Sequence, residues 1–417
     1  FVANSTSLAR ITAGTLTLNG VNTLNIIGGN LAAGSSYPLI AYTTLAGAGS
    51  YVLGTLPPGV AANLSTSANT IYLNVTGVTN TVWTGAVNGT WDINTTANWT
   101  NAGTLGNKYV DGSPVQFDDT GLNTTTISNS TATTLSPISV LVTNNSQNYA
   151  FKANTIIAGT ASLTKTGTAN LTNSTANTYT GPTAINQGQL VVGVASVANT
   201  SGALGNNSAV SLANDSTAVL NLNNFATQVG SLSGGGASGG NVTLGSATLT
   251  VGGDNSSTTY GGVVSGTGGL SKIGTGALTL SGAHAFTGGW SVNAGTLNYN
   301  GSLASGGALT VNGSGANSIV NIGSGANLTF NNVNLLIGNN AAGAGALFQS
   351  GGNIYRVNQL QLGSVTGGSY GYYNLSGGTI GMLEFDLGSF NGAAVGVCDR
   401  SRGWDQCQTA GRTDARA

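Results

Sequence analysis

The sequence predicts an all-β fold, a right-handed parallel β-helix (β-solenoid) with a small tryptophan-rich β meander inserted. Three observations predict it. The first is an internal repeat: Leu163 to Gly193 reads LTKTGTANLTNSTANTYTGPTAINQGQLVVG, and 107 residues later Leu270 to Asn300 reads LSKIGTGALTLSGAHAFTGGWSVNAGTLNYN. Lys165 aligns with Lys272, Gly167 with Gly274, Leu171 with Leu278, Tyr179 with Phe286, Gly181 with Gly288, Gly188 with Gly295 and Leu190 with Leu297. One such unit cannot bury its own apolar face, so it must stack on neighbours of its kind. The second observation is the period of two within the units, where Leu, Ile and Val alternate with Thr, Ser and Asn. The third is composition. Only 5% of residues are charged, against about 25% in ordinary soluble proteins. Glycine takes 67 of 417 positions, more than twice its usual share of about 7%. Collagen is excluded because there is no Gly-X-Y period, and disorder because 40% of residues are hydrophobic.

Taken in order, residues 1–80 read as a β-rich, solenoid-like segment. TLTLNG, TLNIIGG, YPLIAYTTL and NTIYLNVTG alternate apolar and polar positions between glycine or proline breaks, and Pro57-Pro58-Gly59 marks a turn. Residues 81–149 change character. Trp83, Trp91 and Trp99 recur at a spacing of eight, with turns at Asn88-Gly89 and Asn94. These turns favour a short meander whose rings are needed to bury a core. Residues 150–396 return to the solenoid pattern. A rung takes on the order of 20 to 25 residues, so roughly 320 residues of pattern make about 14 rungs, or a rod of about 70 Å at ~4.8 Å per rung. Asparagines at the corners are expected to stack as side-chain ladders. Residues 397–417 form an atypical charged tail holding both cysteines, Cys398 and Cys407, a pair able to close a short loop.

The paired units resemble the autotransporter-associated β-strand repeat, also called the passenger-associated transport repeat. Its pattern is a lysine-led glycine turn, G-x-L-x-L-x-G, an aromatic with T-G, a short strand and G-x-L. Lys272, Gly274, Gly276, Leu278, Leu280, Gly282, Phe286, Thr287, Gly288, Gly295 and Leu297 carry it. The first copy departs from it with Ala169 for a glycine and Asn173 for the second leucine. The segment from Trp83 to Asp119 is similar to one found between such repeats in very large secreted bacterial proteins. The resemblance implies right-handed β-helical passengers displayed outside Gram-negative cells, and it implies no activity.

Chemistry has little to build on. A net charge of −1 gives no electrostatic footprint for nucleic acid. No apolar run approaches the 18 or so residues of a membrane helix. Phe1 begins directly in the strand pattern, so the chain is expected to be a mature or excised piece. Asp118-Asp119 is the one adjacent carboxylate pair, but strand neighbours point to opposite faces and make poor acid–base partners; a solvated loop is expected, with a calcium or turn role as the alternative. Glu384 and Asp386 share a face, with Arg356 the only basic residue between Lys272 and that pair. His284, the sole histidine, is expected at a surface corner, and no G-x-S-x-G set between a strand and a helix accompanies it as a nucleophile elbow. Gly252-Gly253-Asp254 and the glycines of 234–240 lack the helix that a phosphate loop needs. N-x-S/T triplets such as Asn74 and Asn88 arise by chance in a chain this rich in Asn, Ser and Thr.

The sequence therefore points to no catalytic, cofactor-binding or metal residues, and to no cofactor. It points to an extracellular structural or adhesive element of a bacterial surface. The expected partners are other copies of itself, added end to end through edge strands near Thr15–Leu18 and Leu383–Leu387, and surface glycans. A glycan-binding or glycan-degrading β-helix and a phage-type fibre are the alternatives.

Overall fold

The computed structural model describes residues 1–3, 5–29, 31–101, 104–121, 124–131, 133–314, 317–338, 343–363, 369–387 and 395–399. Among them there is no helix. The fold is a parallel β-solenoid of about 14 turns, and the chain divides into two units, Phe1–Thr183 and Ala184–Ala417.

The first unit opens with three parallel pairs. Val2–Ala3 lies on Gly28–Gly29, Ile11–Thr17 on Ser36–Ala46, and Val21–Leu24 on Ser50–Leu53. Each partner follows 26 to 29 residues later, so these strands are two successive coils. A hairpin then closes the stack. Val60–Ser67 pairs antiparallel with Thr70–Val78, which also pairs antiparallel with Ser36–Ala46. Ala68 and Asn69 at its tip both have positive φ, 46° and 57°, the conformation that lets a two-residue turn match the strand twist. Leu24, Ile26, Tyr37, Leu39, Ile71, Leu73 and Val75 form the core of this part.

The meander follows. Thr81–Trp83 and Trp99–Asn101 are antiparallel, as are Trp99–Asn101 and Thr104–Asn107. Thr81–Trp83 also pairs parallel with Pro114–Phe117, and from there the ladders are parallel: Pro114–Phe117, Ser139–Val142 and Ser162–Lys165 form one wall. Thr126–Ile127, Tyr149–Phe151 and Leu171–Asn173 form another. Parallel stacking thus resumes within residues 81–149, ahead of the point at which the repeat pattern becomes readable. All three tryptophans are buried. Trp91 sits 5.4 Å from Trp99, 5.4 Å from Tyr109 and 5.3 Å from Phe117, ring centre to ring centre, in the edge-on or tilted arrangements that aromatic quadrupoles favour.

The second unit is three-sided. One wall stacks Thr227–Val229, Leu249–Val251, Leu270–Lys272, Trp290–Val292 and Leu309–Val311. A second stacks Ala277–Leu280, Gly295–Tyr299, Asn317–Ile322, the opening parts of Gly343–Leu362 and Tyr370–Leu387, and Val395–Asp399. A third runs through Gln189–Val192, Val219–Asn221, Asn241–Thr243 and Val264–Gly266. Alternation decides what faces in. Leu249, Leu270, Trp290 and Leu309 occupy one buried column, while Thr250, Ser271, Ser291 and Thr310 form the outward column beside it. Each buried Leu or Val in such a column is worth about 1.5–3 kcal/mol of transfer free energy. The sequence suggested little β pattern from Val397 on, yet Val397–Asp399 belong to the last strand; the rest of the tail, with Cys407, lies outside the described residues.

Among described residues with a side chain, asparagine takes most of the difficult corners. Asn69, Asn94, Asn154, Asn199, Asn207, Asn223, Asn224, Asn255 and Asn332 all have positive φ, a conformation Asn tolerates better than other residues with a side chain. An Asn pair also stacks within the strands, away from the corners where ladders were expected: the Asn321 amide donates to the Asn298 Oδ1 at 2.8 Å across adjacent coils.

Candidate functional site

The repeat shows what its lysine does. Lys165 ends Ser162–Lys165 and Lys272 ends Leu270–Lys272. Alternation turns both side chains inward, and both are buried. The sequence marked these lysines only as leaders of a glycine turn, and nothing in the alternation was used to place them inside. Lys272 Nζ donates to the carbonyls of Ile273 at 2.5 Å, Gly274 at 2.9 Å and Ala294 at 3.3 Å. Lys165 Nζ donates in the same way to Thr166 at 3.2 Å and Gly167 at 2.5 Å. The ammonium thus satisfies corner carbonyls that the ladder leaves without N–H donors. Burial holds both ammonium groups down, at about 8. The glycine beside each is obligatory for space as well as for conformation. Gly274 has φ +69°, and a Cβ there would stand 2.0 Å from the carbonyl oxygen of Gly252 on the preceding coil.

His284 corrects an expectation. It is 1% exposed rather than at a surface corner. Ala283–Phe286 is a strand whose alternate residues point in, and His284 lies in register with buried Leu303. Its Nδ1 accepts from the Val264 N–H at 3.1 Å, so the proton of the neutral ring sits on Nε2. That nitrogen has no acceptor among the described residues. Tyr260, Phe286 and Tyr299 surround the ring, and burial pushes its pKa down to about 4. Among the described residues no nucleophile–base pair is built around it.

The carboxylates have structural partners. Asp118 accepts from the Thr120 N–H at 2.9 Å and from the Gln116 amide at 2.9 Å. Asp119 accepts from the backbone N–H groups of Asn145, Ser146 and Gln147, which lower its pKa to about 2. The two therefore do separate work, tying one coil's corner to itself and to the next coil. Glu384 and Asp386 share an outward face, bridged by the Gln359 amide at 3.4 Å and 2.5 Å. Asp254 accepts from the Ser231 hydroxyl at 2.8 Å and the Ser256 N–H at 2.9 Å, a corner bond with no helix beside it. Among the described residues no three His, Cys, Asp or Glu side chains gather where a metal ion could be held.

The passenger-associated transport repeat matches residues 163–192 and 270–298. These two stretches are similar to that repeat. The chain is also 43% identical over 139 residues to the adhesin BmaC autotransporter of Brucella suis biovar 1 (strain 1330). That stretch is 33% of this chain and 4% of the adhesin's length. No solved structure matches the chain. In the second repeat, Leu278, Leu280, Phe286, Val292 and Leu297 are all buried, so the consensus records the inward positions of its coils. In the first, Asn173 replaces the second leucine and is buried too, accepting from the Thr175 hydroxyl at 2.8 Å.

One outward face of the second unit went unnoticed in the sequence. On the wall from Ala277 to Leu375, Thr279, Asn298, Asn321, Phe348 and Asn374 follow one another in register. Tyr372 stands on the coil after Phe348, its ring centre 5.5 Å away, and Tyr370 lies two residues before it on the same strand. Phe348 is 37% exposed and Tyr370 41%. The signal was the i, i+2 pair of tyrosines in SYGYYNLSG, which puts both rings on one face of a strand.

Proposed function

We propose that this chain is a stretch of an adhesive, non-catalytic passenger displayed on the outside of a bacterial cell. The observation that carries the reading is the pair of transport repeats built into stacked coils. The 43% identity to an autotransporter adhesin supports it. Adhesion needs area and stiffness more than a reactive centre. Inward columns supply the stiffness, and outward Thr, Ser and Asn supply a large neutral surface. A polysaccharide-cleaving solenoid would instead need converging acids and bases, and the carboxylates described above are committed to corner and ladder hydrogen bonds. Beads coated with the purified chain should adhere to host cells or to bacteria of the same kind more than beads coated with an unrelated β-protein. Equal retention would refute the adhesive role. Turnover of a polysaccharide panel that disappears in Glu384→Gln or Asp118→Asn would refute the non-catalytic one.

Copies of the chain also associate edge to edge in this reading. Ile11–Thr17 is the outer strand of its sheet, pairing with Ser36–Ala46 on one side; Leu18, expected within that edge, is buried beyond its end. Leu383 and Leu387 are exposed on Tyr370–Leu387, and low charge leaves little repulsion to oppose pairing. Negative-stain microscopy should show filaments that lengthen with concentration, and isolated particles at high concentration would refute the association.

A further inference from the structure

We propose that the outward face carrying Phe348, Tyr370 and Tyr372 is a binding site for an uncharged polysaccharide chain. The inference rests on the adhesive reading and names its ligand class. Three features of the face lead to it. Its rings lie side by side, exposed Phe348 and half-buried Tyr372 at 5.5 Å on adjacent coils and exposed Tyr370 on the strand of Tyr372. Aromatic faces of this kind receive the C–H faces of pyranose rings, and a Tyr hydroxyl adds a polar handle at the edge. Carboxamides are interleaved with the rings: Asn321 precedes Phe348 in register and Asn374 follows it. An amide offers one acceptor and two donors, the match for a sugar hydroxyl that both gives and takes a hydrogen bond. The amides are also held in place. Asn321 donates to Asn298 at 2.8 Å, Asn298 to the Thr279 hydroxyl at 3.3 Å, and Asn374 to the Tyr372 hydroxyl at 3.4 Å.

The charge of the face selects among ligands. Ala277–Leu280, Gly295–Tyr299, Asn317–Ile322, Gly343 to Gln349 and Tyr370 to Leu375 contain no Asp, Glu, Lys or Arg, and the first charged residue on the wall is an acid, Asp399, in register with Asn374. An acidic polysaccharide would leave its carboxylates or sulfates without the Arg and Lys donors that recognise them. A neutral chain brings no ion to desolvate. A protein partner would be expected to meet a desolvated anchor of Trp, Tyr or Arg with an apolar surround, whereas here each ring is flanked by amides on a flat sheet. Coils repeat at about 4.8 Å, so a linear chain lying across them meets the rings and amides in succession.

The test is titration calorimetry of the purified chain with maltohexaose, cellohexaose and mannohexaose, set against hyaluronan and alginate oligomers. At least one neutral hexasaccharide should bind. Phe348→Ala and Tyr372→Ala should each weaken it about tenfold, and Tyr372→Phe should keep most of the affinity. Tyr355→Ala, removing an exposed ring from a different wall in register with Thr329, should change nothing. The rings are surface groups, so far-UV circular dichroism of the variants should match the parent. Absence of binding to every neutral oligomer, tighter binding to the acidic ones, or equal loss in Tyr355→Ala would overturn the site. So would a change of self-association instead of sugar affinity in Tyr372→Ala, which would make the face a contact between copies. Cell adhesion separates the two readings: if Phe348→Ala/Tyr372→Ala adheres like the parent, the glycan site falls and the adhesive role stands. If the parent itself does not adhere, the adhesive role falls while the sugar titration still decides the site.

Discussion

Two indoles in one aromatic cluster should respond unequally to the same substitution. Trp83 and Trp91 are both buried and both pack on Phe117 and Trp99. Replacing either with Phe removes a similar volume, at a cost of about 1–2 kcal/mol for lost transfer energy and residual cavity. Their N–H groups differ. Trp83 Nε1 donates to the Thr124 carbonyl at 3.1 Å, while Trp91 Nε1 has no acceptor among the described residues. Trp83→Phe strands a carbonyl and adds about 1–2 kcal/mol, whereas Trp91→Phe deletes a donor already paying its desolvation and returns about 1 kcal/mol. The expected losses are about 3 kcal/mol for Trp83→Phe and below about 1 kcal/mol for Trp91→Phe. Urea unfolding followed by far-UV circular dichroism, with unchanged slopes, measures both. A gap under about 1 kcal/mol, or the reverse order, would refute the reasoning.

Three further outcomes are expected. Gly274→Ala should lower stability by about 2–3 kcal/mol, since it combines a left-handed backbone with a Cβ 2.0 Å from the Gly252 carbonyl; Gly106→Ala, at φ +82° in open space, should cost about 1 kcal/mol in the same thermal melts. His284 is held at about 4, below its ordinary 6.5, so the unfolded chain binds more protons between pH 4 and 6.5 and stability falls as pH drops through that window. The loss of about 3 kcal/mol should vanish in His284→Phe, and acid titration that leaves both proteins with the same profile would exclude it. Lys272, held at about 8 from 10.5, carries the sign of a lowered base. The unfolded chain keeps more protons between pH 8 and 10.5, so stability gains with pH there, and Lys272→Met should lose that slope in alkaline urea melts.

The sequence revealed the architecture where its period repeated and hid it where the period stretched. Lys165 and Lys272, the glycines behind them and the alternating leucines are spaced by the coil, so aligning two copies exposes the stack. From Gly343 the coils lengthen into strands of 20 and 18 residues, Gly343–Leu362 and Tyr370–Leu387, and no second copy remains to align. The two opening coils were legible only as strands, because Val2–Ala3 and Gly28–Gly29 are too short to carry alternation.

Side-chain direction was the harder inference, and His284 and Lys272 show why. Both are polar residues one or two positions from glycines, and polarity beside glycine reads as a corner. In a solenoid, however, inward direction is fixed by register with the coil before, not by the residue's own preference. Leu249, Leu270, Trp290 and Leu309 set one inward column, and Val251, Lys272, Val292 and Val311 follow two residues on. A lysine at that register must go in, and it is tolerated because the corner beyond it presents carbonyls within reach of an ammonium. His284 enters the column of Leu303 by the same rule and finds one partner instead of three. The tyrosines of Tyr370–Leu387 obey it in the other direction: Tyr373 is buried because it follows Leu347, and Tyr370 and Tyr372 face out because they follow Ala344 and Ala346. Function on such a fold is written in the outward columns, where the stack imposes no residue type, and exposed rings held there in register are the departure from Thr, Ser and Asn that calls for a ligand.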